Sequence, residues 1–347
     1  MSKYGVLVVD DSAFMRRSIS LLIESDQELF VAGIARNGLE ALEKVKRIKP
    51  HIVTMDVEMP EMDGITTLAQ IMKECPVPVV MLSVSTESGA QSTIKALELG
   101  AVDFFLKNTL IKEKPEPQII KDFLSRLKLA AHANIQKKSL AEAILPKPEE
   151  EQDSLDVKKD LLIIGCSTGG PSALQAILPR FSADFPIPIL VLQHMPPGFT
   201  KPLADRLNTM CNLRVKEAED GERLVPGTVF VGPAGAQTLL AKRRDQVELL
   251  IRTDVPVQSL YKPCIDVTLL SAAPLYRDRL LAVILTGMGS DGLEGCKSVK
   301  ENHGHVIVQA EESCVVYGMP KVVFEAGYAD RQGELSTIYQ HIQSFVR

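Results

Sequence analysis

The feature that most constrains this chain is an alternation. Short apolar runs, GVLVVD (5–10), FVAGIA (30–35), HIVTMD (51–56), VPVVMLS (77–83) and AVDFFLK (101–107), are separated by segments with leucine and isoleucine at helical spacing, such as AFMRRSISLLIES and GLEALEKVKRIK. Repeated strand–helix–strand units close as a parallel sheet with helices on both faces. The pattern breaks in AHANIQKKSLAEAILPKPEEEQDSLDVKKD (131–160), which has two prolines, many charges and no sustained apolar period. It resumes with LLIIG (161–165), PIPILVLQ (186–193), GTVFVG (227–232), QVELLI (246–251), LLAVILT (280–286) and HVIVQA (305–310). The reading is two doubly wound α/β domains, 1–125 and 159–347, joined by a charged linker, 126–158.

Composition narrows the class. The 347 residues are 45% hydrophobic and 24% charged, enough apolar material for two cores. The net charge of −5 supplies no global basic field for nucleic acid. The six cysteines (75, 166, 211, 264, 296 and 314) are scattered without a C-x-x-C pair, which argues against a zinc cluster and for reduced thiols. Acids directly follow the first apolar run, so MSKYGVLVVDDS does not read as a secretory signal. The apolar runs are too short to span a membrane. The expectation is a cytoplasmic protein.

Ligands of open parallel sheets bind at the carboxyl ends of the strands. In the first domain those ends carry Asp10, Asp11, Asp56, Ser83 and Lys107. Carboxylates with water suit Mg²⁺. With Asp10 and Asp11 on the metal, Asp56 can be a carboxylate nucleophile toward a phosphoryl group. Lys107 and Ser83 can then hold the phosphoryl oxygens. Any one acid after a strand is more simply a helix cap. Capping does not explain five polar groups on one rim, including a lysine that ends an apolar strand.

The second domain opens on LLIIGCSTGGPSAL (161–174). A dinucleotide fingerprint would need glycine where Ser167 stands, and a P-loop would need lysine where Pro171 stands. The string fits G-x-S-x-G from Gly165 to Gly169, a sharp strand-to-helix turn that exposes a serine hydroxyl. A serine cap on a glycine turn is the plainer alternative. A base and an acid would decide against it. His194 ends the next strand, and Asp291 lies in the glycine-rich turn TGMGSDGLEG. The order Ser…Asp…His would also admit His303 or His305, but ENHGHVIV puts both at the amino end of a strand, away from the rim.

These residues carry a resemblance. VVDDS, TMDVEMPEMDG, MLS and FFLK, in that order, resemble a response-regulator receiver domain, with a flavodoxin-like fold. IGCSTGGPSAL, VLQHMPPGFT, AEDGE, ILTGMGSDG and CVVYGMPK resemble the Rossmann-like catalytic domain of the chemotaxis protein-glutamate methylesterases, the CheB family. The resemblance implies phosphorylation of Asp56 by a chemotaxis histidine kinase, with Mg²⁺ held by Asp11, Asp56 and the Glu58 carbonyl, and Asp10 in support. It implies a Ser167, His194, Asp291 triad with no cofactor, Thr168 beside the nucleophile and the Met288 N–H as oxyanion donor. The implied substrates are glutamate γ-methyl esters, and specific glutamines, on methyl-accepting chemotaxis receptors. It further implies a monomer that meets the membrane only through receptors, with the unphosphorylated receiver blocking the esterase cleft. Three positions depart from the usual pattern: Ser83 for Thr, Asn108 for Pro, and Cys166 for Ala or Ser. Each is expected to be tolerated.

Two other classes remain to be set against this one. A DNA-binding response regulator predicts a small basic helix-turn-helix module, which the large α/β second half is not. A binding protein on a dead esterase fold predicts loss of a triad member, whereas all three are present.

Overall fold

The computed structural model describes residues 3–84, 86–111, 116–133, 158–255 and 261–346. The chain divides into two compact units, residues 1–140 and 141–347. Among the described residues no helix is long and apolar enough to cross a membrane.

In the first unit five strands, β1 (Tyr4–Val9), β2 (Leu29–Ala35), β3 (Ile52–Asp56), β4 (Val79–Ser83) and β5 (Asp103–Leu106), form one sheet in the order β2-β1-β3-β4-β5. All four pairings are parallel. The helices are α1 (Ala13–Glu24), α2 (Gly38–Ile48), α3 (Gly64–Glu74), α4 (Glu87–Leu99), the single turn α5 (Lys107–Leu110), and α6 (Pro117–Ala131). Strand order reverses between β1 and β3, so the crevice lies where Asp10, Asp11 and Asp56 leave the sheet. Ser12 caps α1, its Oγ accepting from the Met15 N–H, which leaves the Asp11 carboxylate uncommitted to capping.

Helix α6 continues past residue 125 because Phe123, Leu127 and Ala130 keep an apolar stripe buried through its last turn. Most of the expected linker, 134–157, lies outside the described residues.

The second unit has a seven-stranded sheet in the order β14-β13-β12-β6-β7-β9-β8, all parallel. Its strands are β6 (Leu161–Cys166), β7 (Ile189–Gln193), β8 (Arg214–Glu217), β9 (Thr228–Val231), β12 (Leu280–Ile284), β13 (His305–Gln309) and β14 (Arg331–Gly333). The chain starts at the centre, runs outward one way through β7, then returns to β12 and runs outward the other way. The switch point is therefore β6 against β12, with Ser167 after one and residues 286–291 after the other.

One expected strand belongs elsewhere. QVELLI is β11 (Gln246–Arg252), which pairs antiparallel with β10 (Gln237–Arg243) in a separate two-stranded sheet. Only Arg244 and Asp245 join them, and Arg244 takes φ 54. So short a connection turns the chain back on itself and cannot make a parallel crossover.

The helices of this unit are α7 (Gly170–Ile177), α8 (Thr200–Met210), α9 (Ile265–Tyr276), α10 (Leu293–Glu301), α11 (Met319–Glu325) and α12 (Leu335–Val346). Its core includes Ile163, Leu192, Phe230, Leu269, Ile284 and Val308, all buried. At the amino edge, the buried Lys159 Nζ lies 2.6 Å from His305 Nδ1. His303 precedes the same strand, so both histidines stand at the end of the sheet opposite Ser167.

Candidate functional site

The first rim is a carboxylate cluster with one cation. Ligand oxygens of Asp10, Asp11 and Asp56 lie within 4.8 Å of one another. Lys107 Nζ reaches Asp10 Oδ2 at 2.8 Å and Asp56 Oδ2 at 2.5 Å. Asp10 Oδ1 accepts from the Ser12 N–H, while Asp11 is exposed. A pocket over the cluster is lined by Asp11, Asp56, Glu58, Met59, Val84 and Lys107, among others. Burial raises the Asp56 pKa to about 6 against the pull of Lys107, with Asp10 adding to the rise. Burial opposes the Lys107 charge, but its bonds to Asp10 and Asp56 outweigh that and raise its pKa. Ser83 is buried; its Oγ accepts from Thr93 Oγ1 at 2.8 Å and lies 3.3 Å from the Gly89 carbonyl. A hard divalent cation fits this donor set: among the described residues the Asp11 carboxylate has no hydrogen-bond partner, and Asp56 Oδ1 has only a 3.4 Å bond from the Glu58 N–H.

The second rim begins with β6 and β7. Cys166 and Gln193 are register partners, so Ser167 and His194 leave the sheet side by side. The His194 N–H donates to the Cys166 carbonyl at 3.0 Å, and the Ser167 N–H donates to the Thr286 carbonyl, just after β12, at 3.0 Å. Two glycines let the turn after Ser167 close. Gly169 takes φ +79, and a Cβ on Gly170 would stand 2.0 Å from Gln193 Oε1. Thr168 is buried next to Ser167, and its carbonyl accepts from Thr286 Oγ1.

Asp291 is reached from four sides. Oδ2 accepts from His194 Nε2 and the Ile265 N–H, both at 2.8 Å. Oδ1 accepts from the Asp266 N–H at 2.9 Å and from Cys264 Sγ at 3.1 Å. Burial pushes its pKa up, but the His194 hydrogen bond and charge, with the Asp266 and Ile265 N–H groups, pull it down to about 2. An ionised carboxylate only accepts, so His194 Nε2 carries a proton, and in the neutral form of an imidazole so held Nδ1 is the acceptor. Among the described residues that buried Nδ1 makes no hydrogen bond, and Ser167 Oγ makes none either. The two atoms belong to residues that leave neighbouring strands in register. The arrangement can move a proton from a serine hydroxyl to an imidazole held by an anion.

The loop after β12 lies against Ser167. A Cβ on Gly287 would stand 2.8 Å from Ser167 Cβ. The neighbouring Met288 N–H makes no hydrogen bond to a described residue, so it is available to an oxyanion.

Three residues at this rim escape a reading of the sequence. Gln193 fastens the ends of β6 and β7. Asp266 accepts from the Gly292 and Gly295 N–H groups at the start of α10, while Asp291 accepts at the start of α9; the two acids cap each other's helices. Burial lifts the Asp266 pKa to about 6 despite the Gly295 bond, with the nearby Asp291 adding to the rise. Tyr261 stacks on His194, with ring centroids 4.8 Å apart and planes 16° from parallel. Each acts at least in part on groups distant in sequence, which no local motif announces.

An acidic rim with one lysine on one parallel α/β unit, and a serine, a histidine and a carboxylate at the switch point of another, are the features of a receiver and of a serine hydrolase carried on one chain. Comparison with known proteins is more particular. The CheB methylesterase family matches residues 162–342, and the response regulator receiver domain family matches residues 6–114. The chain belongs to the CheB methylesterase family. It is 41% identical over 365 residues, covering 98% of this chain and 99% of the relative, to protein-glutamate methylesterase/protein-glutamine glutaminase 1 of Oleidesulfovibrio alaskensis. It is 43% identical over 329 residues, covering 94% and 93%, to the Thermotoga maritima protein-glutamate methylesterase/protein-glutamine glutaminase. The crystal structure of the Thermotoga maritima CheB methylesterase catalytic domain superposes with a TM-score of 0.52 at 44% identity, covering 54% of this chain and 98% of that one.

Proposed function

We propose that this chain is a phosphorylation-regulated protein-glutamate methylesterase, with glutamine deamidase activity at the same site, acting on methyl-accepting chemotaxis receptors. The observation that carries the reading is His194, with Nε2 on an ionised Asp291, a buried Nδ1 that has no hydrogen-bond partner among the described residues, and a place at the end of the strand next to the one that ends before Ser167. Ser167 Oγ gives its proton to His194 Nδ1 and attacks the γ-carbonyl of a glutamate methyl ester. The developing oxyanion takes the Met288 N–H, with Thr168 flanking the nucleophile. The imidazolium returns its proton to the departing methoxide, releasing methanol. Water, activated by the same imidazole, then splits the acyl-serine and restores the carboxylate. An amide carbonyl needs the same parts and releases ammonia. One oxyanion donor is worth about 10²–10³ in rate.

In the receiver, Asp11, Asp56 and the Glu58 carbonyl would hold Mg²⁺, with Asp10 in support. When bound, Mg²⁺ neutralises charge on the transferring phosphoryl oxygens. Asp56 accepts the phosphoryl group from a histidine kinase, and Lys107 and Ser83 then contact its oxygens. We assign residues 1–131, through the end of α6, to the receiver, 132–158 to the linker and 159–347 to the esterase. The test is methanol release from methylated receptor membranes: Ser167→Ala is expected to abolish it, and an active Ser167→Ala would overturn the assignment.

A further inference from the structure

Gln193 is the last residue of β7 and is 2% exposed. Its Nε2 donates to two carbonyls, those of Ser167 and His194, each at 2.9 Å. Its Oε1 accepts from Cys166 Sγ at 3.1 Å. With the bond from the His194 N–H to the Cys166 carbonyl, this makes a closed ring of contacts around the point where β6 and β7 end. A primary amide supplies two N–H donors in one plane, so one side chain can span both carbonyls; no other neutral side chain of this length can. Gly170 is shaped to it, since a Cβ there would fall 2.0 Å from Gln193 Oε1.

We propose that Gln193 is a positioning residue that sets the separation and aim of Ser167 and His194. It touches neither substrate nor the reacting atoms. It acts by fixing the backbone that carries both. The inference rests on the Ser167–His194 reading above. Reaction geometry is steep in distance: a misplacement of about 1 Å can cost about 10²-fold in rate.

The experiment measures kcat and KM for methanol release from the full-length protein, well below each variant's Tm. Gln193→Met keeps the length and apolar bulk and removes both donors. It is expected to lower kcat by about 10- to 100-fold with KM within about twofold. Leu207→Ala, a cavity in α8, which carries none of the residues named at the site, is the control for lost stability: its Tm falls and its kcat stays. Gly170→Ala leaves the amide intact but displaces it, and is expected to reproduce the kcat loss. This second variant decides the matter if Gln193→Met melts without cooperativity. In a double-mutant cycle, Gly170→Ala should cost less in a Gln193→Ala background than alone, because that background removes the 2.0 Å clash with the amide and leaves only the 3.0 Å approach to Cys166. Wild-type kcat in folded Gln193→Met, or in folded Gly170→Ala, overturns the proposal, as do additive losses in the cycle. An active Ser167→Ala, by contrast, removes the reading on which the proposal stands.

Discussion

At the scale of single residues, two carboxylates are tuned in opposite directions. Asp291 is held near 2, below its unfolded value of 3.8. An acid with a depressed folded pKa adds stability that is present above the unfolded value and lost as pH falls through the folded one. Acid melting between about pH 4 and 2 should therefore be shallower in Asp291→Asn than in the wild type. The same variant is expected to lose about 10⁴-fold in kcat, because an amide no longer fixes the imidazole tautomer. Asp56 is the reverse case, raised to about 6. Its charged form costs stability above that pH, and the cost fades as pH falls toward 4. Without divalent cations, Asp56→Asn should raise the receiver Tm at pH 8 and raise it less at pH 5; calorimetry across that range checks the sign. Ser167, His194 and Asp291 are visible in the sequence because each is a polar residue next to an apolar strand or inside a glycine turn. Gln193 is not, since it reads as the polar end of an apolar run, and its partners are backbone groups that only the register of β6 and β7 brings together.

At the scale of elements, the site is the meeting point of helix starts. Asp291 caps α9 and Asp266 caps α10, so the two helices and the loop carrying Met288 form one braced unit. Asp266→Ala strips the partner from two N–H groups at the start of α10. The expected cost is about 1–2 kcal/mol of stability and a reduced kcat as the Asp291 turn loosens. Asp266→Asn keeps an acceptor for both groups and should retain most of the activity; urea unfolding and steady-state kinetics together separate the two effects. The strand–helix alternation made the parallel sheets legible. The hairpin of β10 and β11 was hidden because QVELLI reads alike in either sheet, and only the two-residue turn at Arg244 and Asp245 decides its direction. Strands β8 and β14 were missed for another reason: RVKE and RQG are short, polar edge strands without an apolar signature.

At the scale of the whole molecule, one chain carries a receiver domain and a methylesterase domain. Taking a two-state protein from almost wholly inactive to almost wholly active needs about 5.5 kcal/mol of differential stabilisation. One phosphoryl group supplies about one to three charge-assisted hydrogen bonds, so activation should be partial. A small phosphodonor with Mg²⁺ is expected to raise esterase turnover of the full-length protein severalfold, and Asp56→Asn should abolish that rise while keeping the basal rate. The two-domain plan was legible because the alternation stops at a charged, proline-bearing segment and starts again. What sequence could not convey was the crossing of the second sheet, which sets β12 beside β6 and so brings Asp291 to a histidine 97 positions away. It is this crossing that, we propose, builds an esterase around Ser167. The most direct measurement is methanol release from methylated receptor membranes by wild type and Ser167→Ala. The account predicts release by the wild type and none above background by the variant; equal release by both would contradict it.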